Sequence, residues 1–166
     1  IYNDSGEFGG RVAFDQWSVA TGDTGVTATA RDAEKTQIFI GGIGADTFTS
    51  GTLADVILAG GGADTLDGGA GNDFLYGGAD ADRYNFTGSF GSDIVLDADG
   101  QGSIWVDGIQ LTGGKKLADN TWESDDGNYS FSMMGGNLII GRGRKADANT
   151  MKGSVTVQGW TTSTSV

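Results

Sequence analysis

At 166 residues with neither cysteine nor histidine, the chain can bury one moderate core, but it has no disulfides to hold it. It also lacks the imidazole that Ser-His-Asp, Cys-His and HExxH chemistry require. Ten basic residues against 22 acidic ones give a net charge of -12, which repels nucleic acid and anionic membranes and makes cations the natural partner.

Of the acids, 19 are Asp and 3 are Glu, a bias toward loops. Glycine occurs 31 times without proline and without a period of three, which excludes collagen. No apolar run approaches the roughly 18 residues of a membrane span, so stable insertion is not expected. The chain starts at Ile1 with no leader pattern, and it reads as a monomeric fragment of something larger.

Residues 1–40 form an N-terminal flank. RVAFDQWSVATGDTGVTATA alternates apolar and polar residues and reads as strands with a turn at Thr21 to Gly25, a disordered linker being the other reading. TQIFI, residues 36–40, reads as a first rung that seals one end of a stack.

Residues 41–96 are periodic. Written in nines they run GGIGADTFT, SGTLADVIL, AGGGADTLD, GGAGNDFLY and GGADADRYN, and after a two-residue slip GSFGSDIVL follows. The sixth positions are Asp46, Asp55, Asp64, Asp73 and Asp82, continued by Asp93; the eighth are Phe48, Ile57, Leu66, Leu75 and Tyr84, and Phe39 extends them backwards. Three residues around each apolar one suffice for a short strand, and the loop before it must reverse direction, which glycine permits. One nonapeptide cannot bury its single hydrophobe, so coils stack as parallel sheets around a thin core.

Stacking places equivalent aspartates about 4.8 Å apart, where like charges repel strongly. A divalent cation between the loops reverses that sign. Carboxylates plus carbonyls exposed by the turns Gly41, Gly42, Gly44, Gly60, Gly62, Gly68, Gly69, Gly71, Gly77 and Gly78 make an all-oxygen shell suited to Ca2+. Magnesium fits less well, because it demands a tight octahedron and keeps its waters.

Residues 97–166 form a C-terminal flank rich in strands. Asp97, Asp99, Gly102 and Ile104 match positions of an EF-hand loop, but Gly108 stands where its glutamate belongs and no helical pattern flanks it, so a turn joining DIVLD and SIWVDG is the favoured reading. TWESDDGNYSFSM and GGNLIIGRG read as strands around turns at Asp126-Gly127 and Gly135–Asn137, and SVTVQGW as a last strand. Trp105, Trp122 and Trp160 suit either a sugar platform or burial in this flank.

The nonapeptides resemble the RTX, or repeats-in-toxin, family and its GGxGxDxUx unit. GGAGNDFLY and GGIGADTFT match at every fixed position. The resemblance implies an all-β fold, a parallel β-roll with two nonapeptides per turn, capped by antiparallel strands. It implies Ca2+ between loops two repeats apart, with Asp46, Asp64 and Asp82 on one edge and Asp55, Asp73 and Asp93 on the other. The sites would be 46/64, 64/82, 55/73 and 73/93, about three or four ions in all. Ser50 and Leu53 put the 55/73 site in doubt, Ala59 is a mild change, Asp80 replaces a glycine, and the slip leaves 73/93 open.

The resemblance further implies a module that leaves a Gram-negative cell unfolded through a type I secretion channel and folds on meeting external calcium. The larger protein would be a toxin, adhesin or exoenzyme, secreted or held at the cell surface. A calcium-dependent adhesin module recognising glycan or protein is the alternative; an enzyme is not expected, since catalytic domains of such proteins lie outside the repeats.

Overall fold

The computed structural model describes residues 25–146 and 152–159. Its first nine strands are β1 (Thr27–Thr29), β2 (Ile38–Ile40), β3 (Thr47–Thr49), β4 (Val56–Gly61), β5 (Thr65–Asp67), β6 (Phe74–Ala79), β7 (Arg83–Phe86), β8 (Gly91–Leu96) and β9 (Ser103–Val106). Odd strands pair in parallel with odd, even with even. The chain therefore alternates between two sheets, spending one nonapeptide on each, as a β-roll requires.

Register follows the sequence period. Thr47 faces Thr65 and Thr65 faces Arg83, while Ile38 faces Val56 and Val56 faces Phe74. Phe39, Phe48, Ile57, Leu66, Leu75, Tyr84 and Val95 point inward and are essentially fully buried. Phe39 and Phe48 stack across the roll with ring centroids 5.4 Å apart, so the eighth-position residues build the whole thickness of the core.

The roll extends beyond the periodic segment at both ends. TQIFI does supply a rung, β2, but β1 lies a half-coil above it, paired with β3. All of RVAFDQWSVATGDT, and the expected turn except for Gly25, lies outside the described residues. At the other end the ladder continues past Leu96, because β9 pairs with β7. The segment between β8 and β9 is a crossover flanked by strands, in line with the turn reading rather than the EF-hand one: among the described residues no helix borders it.

Antiparallel strands close the lower end. β10 (Ile109–Gln110) folds back on β9 through Asp107 and Gly108, both left-handed with φ 49° and 80°, the geometry of a tight hairpin turn. A meander of β11 (Lys115–Ala118), β12 (Thr121–Glu123), β13 (Tyr129–Met134) and β14 (Asn137–Arg142) then leads to β15 (Gly153–Gln158). β15 pairs antiparallel with β14 and parallel with β8, with Val155 opposite Asp93 and Val157 opposite Val95. The C-terminal strands thus continue the even sheet, and Val155, Val157, Leu138, Ile140 and Phe131 join the common core.

The outer face of the even sheet is apolar as well. Ile38, Val56, Phe74 and Ile94 form one column and Ile40, Leu58, Tyr76 and Leu96 the next. Both faces of these strands therefore read as hydrophobic, as parallel strands often do.

Glu123 at the end of β12 is 6% exposed and accepts the Arg144 guanidinium at 2.7 and 3.1 Å on Oε2 and 2.9 Å on Oε1. That pairing holds the Glu123 carboxyl down at about 2. Arg144→Ala removes the guanidinium and leaves this carboxylate only the backbone N–H of residue 144, at 2.9 Å on Oε1, and should accelerate amide hydrogen exchange in β12 and β13 more than in β5 and β7; equal acceleration everywhere would mean the pair does not anchor the meander locally.

Candidate metal centre

Asp46, Asp55, Asp64, Asp73 and Asp82 each lie one residue before a strand, where the loop meets the roll, while Asp93 is the third residue of β8. Two rows result. On one edge Asp46 N donates to Asp64 Oδ1 at 2.6 Å and Asp64 N to Asp82 Oδ1 at 3.0 Å. On the other, Asp55 N donates to Asp73 Oδ1 and Asp73 N to Asp93 Oδ1, both at 2.8 Å. All six aspartates are between 1% and 3% exposed.

The glycines do separable jobs. At the first loop position, a Cβ on Gly41, Gly68 or Gly77 would run into the carboxylate of Asp46, Asp73 or Asp82 in the same loop. At the second, Gly60, Gly69 and Gly78 take φ of 113°, 80° and 111° and pack on the carbonyls of Gly42, Gly51 and Gly60 in the coil before. At the fourth, Gly71 has φ 132°, and a Cβ there would lie 2.6 Å from the Leu53 carbonyl carbon; Gly62 rests on Gly44 in the same way. Gly42 N also donates to Asp46 Oδ2 at 2.9 Å. Asp80, the non-glycine at this position, holds φ 78°, which aspartate tolerates better than most residues.

The irregular loops keep the rows intact. In SGTLAD, Asp55 accepts from Gln37 N at 2.5 Å and Gly51 N at 3.0 Å. Ser50 and Leu53 leave its position unchanged. The slip before Asp93 is absorbed in the loop, since Asp93 still meets Asp73 N across 20 residues rather than 18.

The rows are electrostatically frustrated. Burial is the largest cause that raises Asp64 to about 6, Asp82 and Asp93 to about 7 and Asp73 to about 8; the charges of row neighbours add to it at Asp64, Asp73 and Asp82, and the backbone N–H bonds offset only part of the rise. Asp55 is raised for the same first reason. Among the described residues no ion pair reaches either row. Asp64 Oδ2, Asp73 Oδ2 and Asp82 Oδ2 are buried without any hydrogen-bond partner.

Buried anionic oxygens with no donor fit a hard cation. Among the described residues no three acidic groups converge on one point, so an ion here would take a carboxylate from each of two successive coils and fill its shell with backbone carbonyls. Ca2+ accepts such a mixed, irregular oxygen shell.

Several participants escaped the sequence reading. Gln37, 18 residues before Asp55, occupies the row position above it, and its side-chain amide donates to the carbonyls of Asp32 and Lys35 at 2.8 Å. The period itself marks that position. The Tyr84 hydroxyl reaches the loop, accepting from Gly77 N at 3.1 Å; a tyrosine among aliphatic and phenylalanine eighth positions was its only signal. Trp105 and Trp122 lie on different sheets. Trp105 lies on the odd sheet under the Arg83 guanidinium, 3.8 Å from the ring centre, Trp122 is half-buried on the even sheet, and Trp160 lies outside the described residues.

Residues 49–84 match the model of the RTX calcium-binding nonapeptide repeat, in four copies. No curated protein matches the chain. Among solved structures the chain is similar to the solution structure of the AlgE6R3 subunit from the Azotobacter vinelandii mannuronan C5-epimerase, at 26% identity over 84% of this chain and 74% of that one, with a TM-score of 0.38. The residues between Thr49 and Tyr84, which supply the centre of both aspartate rows, are RTX calcium-binding nonapeptide repeats.

Proposed function

We propose that the chain is a calcium-triggered folding module of a larger secreted or cell-surface protein, unfolded where calcium is scarce and folded outside the cell. The single observation that carries this is the pair of buried aspartate rows in which Asp64 Oδ2, Asp73 Oδ2 and Asp82 Oδ2 have no hydrogen-bond partner among the described residues. The sites run 46/64, 64/82, 55/73 and 73/93, about four ions, because the hydrogen-bonded register is continuous through both irregular loops. Export through a type I channel, which requires an unfolded chain, gives such a switch its use, and the surface charge and absence of disulfides are compatible with it. The module carries no reaction of its own in this reading; its carboxylates are committed to cations.

A calcium titration followed by circular dichroism tests it, with magnesium as the control. Cooperative gain of β-sheet signal in calcium alone is expected. Equal response to both ions, or none to either, would remove the proposal.

A further inference from the structure

The row of Asp46, Asp64 and Asp82 has a fourth rung in the backbone that the nonapeptide pattern does not supply. Ser103 is the register partner of Arg83, and Ser103 N donates to Asp82 O just as Arg83 N donates to Asp64 O, both at 2.8 Å. Gly102 therefore stands where the next aspartate of the row belongs.

The loop from Asp97 to Gly102, DADGQG, is the ordinary loop with its ends exchanged: the acid is first and the glycine sixth. In the loops beginning at Gly41, Gly68 and Gly77, a Cβ on the first residue would enter the volume of the sixth residue's carboxylate. The two ends of a loop thus compete for one space. In DADGQG that space is filled from the other end, since Asp97 Oδ2 accepts from Gly102 N at 2.7 Å and a Cβ on Gly102 would lie 2.7 Å from the same oxygen.

Loops 77–82 and 97–102 also each hold one buried carboxylate oxygen without a hydrogen-bond partner among the described residues. Asp97 Oδ1 and Asp82 Oδ2 are both buried without a hydrogen bond, and Asp82 is 1% exposed. Tyr84 connects the two places. A Cβ on Gly77 would meet both the Tyr84 hydroxyl and Asp82 Oδ2, and a Cβ on Gly102 would lie 2.7 Å from Tyr84 Cε2 beside Asp97. The hydroxyl itself is 3.5 Å from the Leu96 carbonyl. Asp99, by contrast, is occupied: its oxygens accept from Asp80 N, Gln101 N and the Gln101 side chain at 2.9 to 3.0 Å.

We infer that Asp82 and Asp97 hold a further hard divalent cation between the loops 77–82 and 97–102, bordered by the neutral oxygens of Tyr84 and Leu96. The row then runs one site past the nonapeptides, and the crossover into β9 is fastened by metal. This rests on the calcium reading of the rows.

Calcium counting at saturation by equilibrium dialysis tests it. Asp97→Asn keeps an oxygen for the Gly102 N–H but removes the charge, and it should bind one ion fewer than the unaltered chain or hold one at least about tenfold more weakly; Asp99→Asn should match the unaltered chain. If Asp97→Asn binds as the unaltered chain does while Asp73→Asn loses ions, this site is refuted and the row reading stands. If the unaltered chain binds no calcium, both fall. An anomalous difference map from crystals of the unaltered chain grown in calcium decides independently of how the variant folds: a peak between Asp82 and Asp97 is expected, and row peaks with none there would overturn the inference.

Discussion

In calcium-free buffer at about pH 8 the chain is expected to lose its β-sheet signal, and to regain it on acidification to about pH 5 with no metal added. The sign follows from burial. Asp64, Asp73, Asp82 and Asp93 sit at about 6, 8, 7 and 7 against an ordinary 3.8. A carboxyl raised on folding favours the fold fully below its unfolded value, and that stability is lost as pH rises through the folded value. The loss therefore begins above the ordinary 3.8 and is complete at about pH 6 to 8 for these four.

Calcium replaces the protons. With a Kd of about 10⁻⁴ M per site, typical of extracellular modules, about 2 mM calcium adds roughly 1.8 kcal/mol per site and about 7 for four independent sites. That is comparable with the whole stability of an ordinary domain, about 5 to 15 kcal/mol. At sub-micromolar calcium the same expression gives almost nothing. Circular dichroism across a pH series, with and without calcium, checks the prediction; a full β signal at pH 8 in the absence of any divalent ion would show that the rows do not oppose folding.

Asp64→Ala is expected to raise the calcium midpoint of folding more than Asp55→Ala. Asp64 lies in the middle of its row, with its Oδ1 on Asp46 N and its own N on Asp82 Oδ1, so its loss damages two inter-coil sites, about 3.6 kcal/mol at millimolar calcium on the figure above. Asp55 has Gln37 rather than an acid on its outer side and, in the proposed arrangement, would serve only a site with Asp73, about 1.8 kcal/mol. In calcium-free buffer the order should invert. Asp55→Ala strands two buried donors, Gln37 N and Gly51 N, whereas Asp64→Ala strands one and removes a carboxylate that burial opposes. Midpoints from parallel titrations decide the matter, and a larger shift for Asp55→Ala in calcium would mean the sites do not bridge successive coils.

The period of nine and the apolar core were legible because each is a local property repeated, whereas the division of the aspartates into two rows came with the RTX resemblance. A strand of three residues, a loop of six and a buried eighth position recur with the same chemistry, so Asp46 to Asp82 and Phe48 to Tyr84 could be placed from spacing alone. Irregular loops were harder to judge. Ser50 and Leu53 break the glycine pattern, yet Asp55 keeps its position, because register is set by the ladder on both sides and the loop only has to connect.

Only the tertiary structure decided how the roll ends. SVTVQGW reads as a strand in any context, but its parallel docking on Gly91–Leu96, across more than 50 intervening residues, depends on an open sheet edge that no local pattern records. The same is true of Asp97. Its residue type and spacing resemble an EF-hand loop, and its place in the aspartate row appears only when Gly102 is seen beneath Asp82 with the carboxylate entering from the opposite end of the loop. Composition and period determined that anions stack; the closing coils determined which residue completes the stack, because that choice turns on shared volume between residues five apart and on a neighbouring coil.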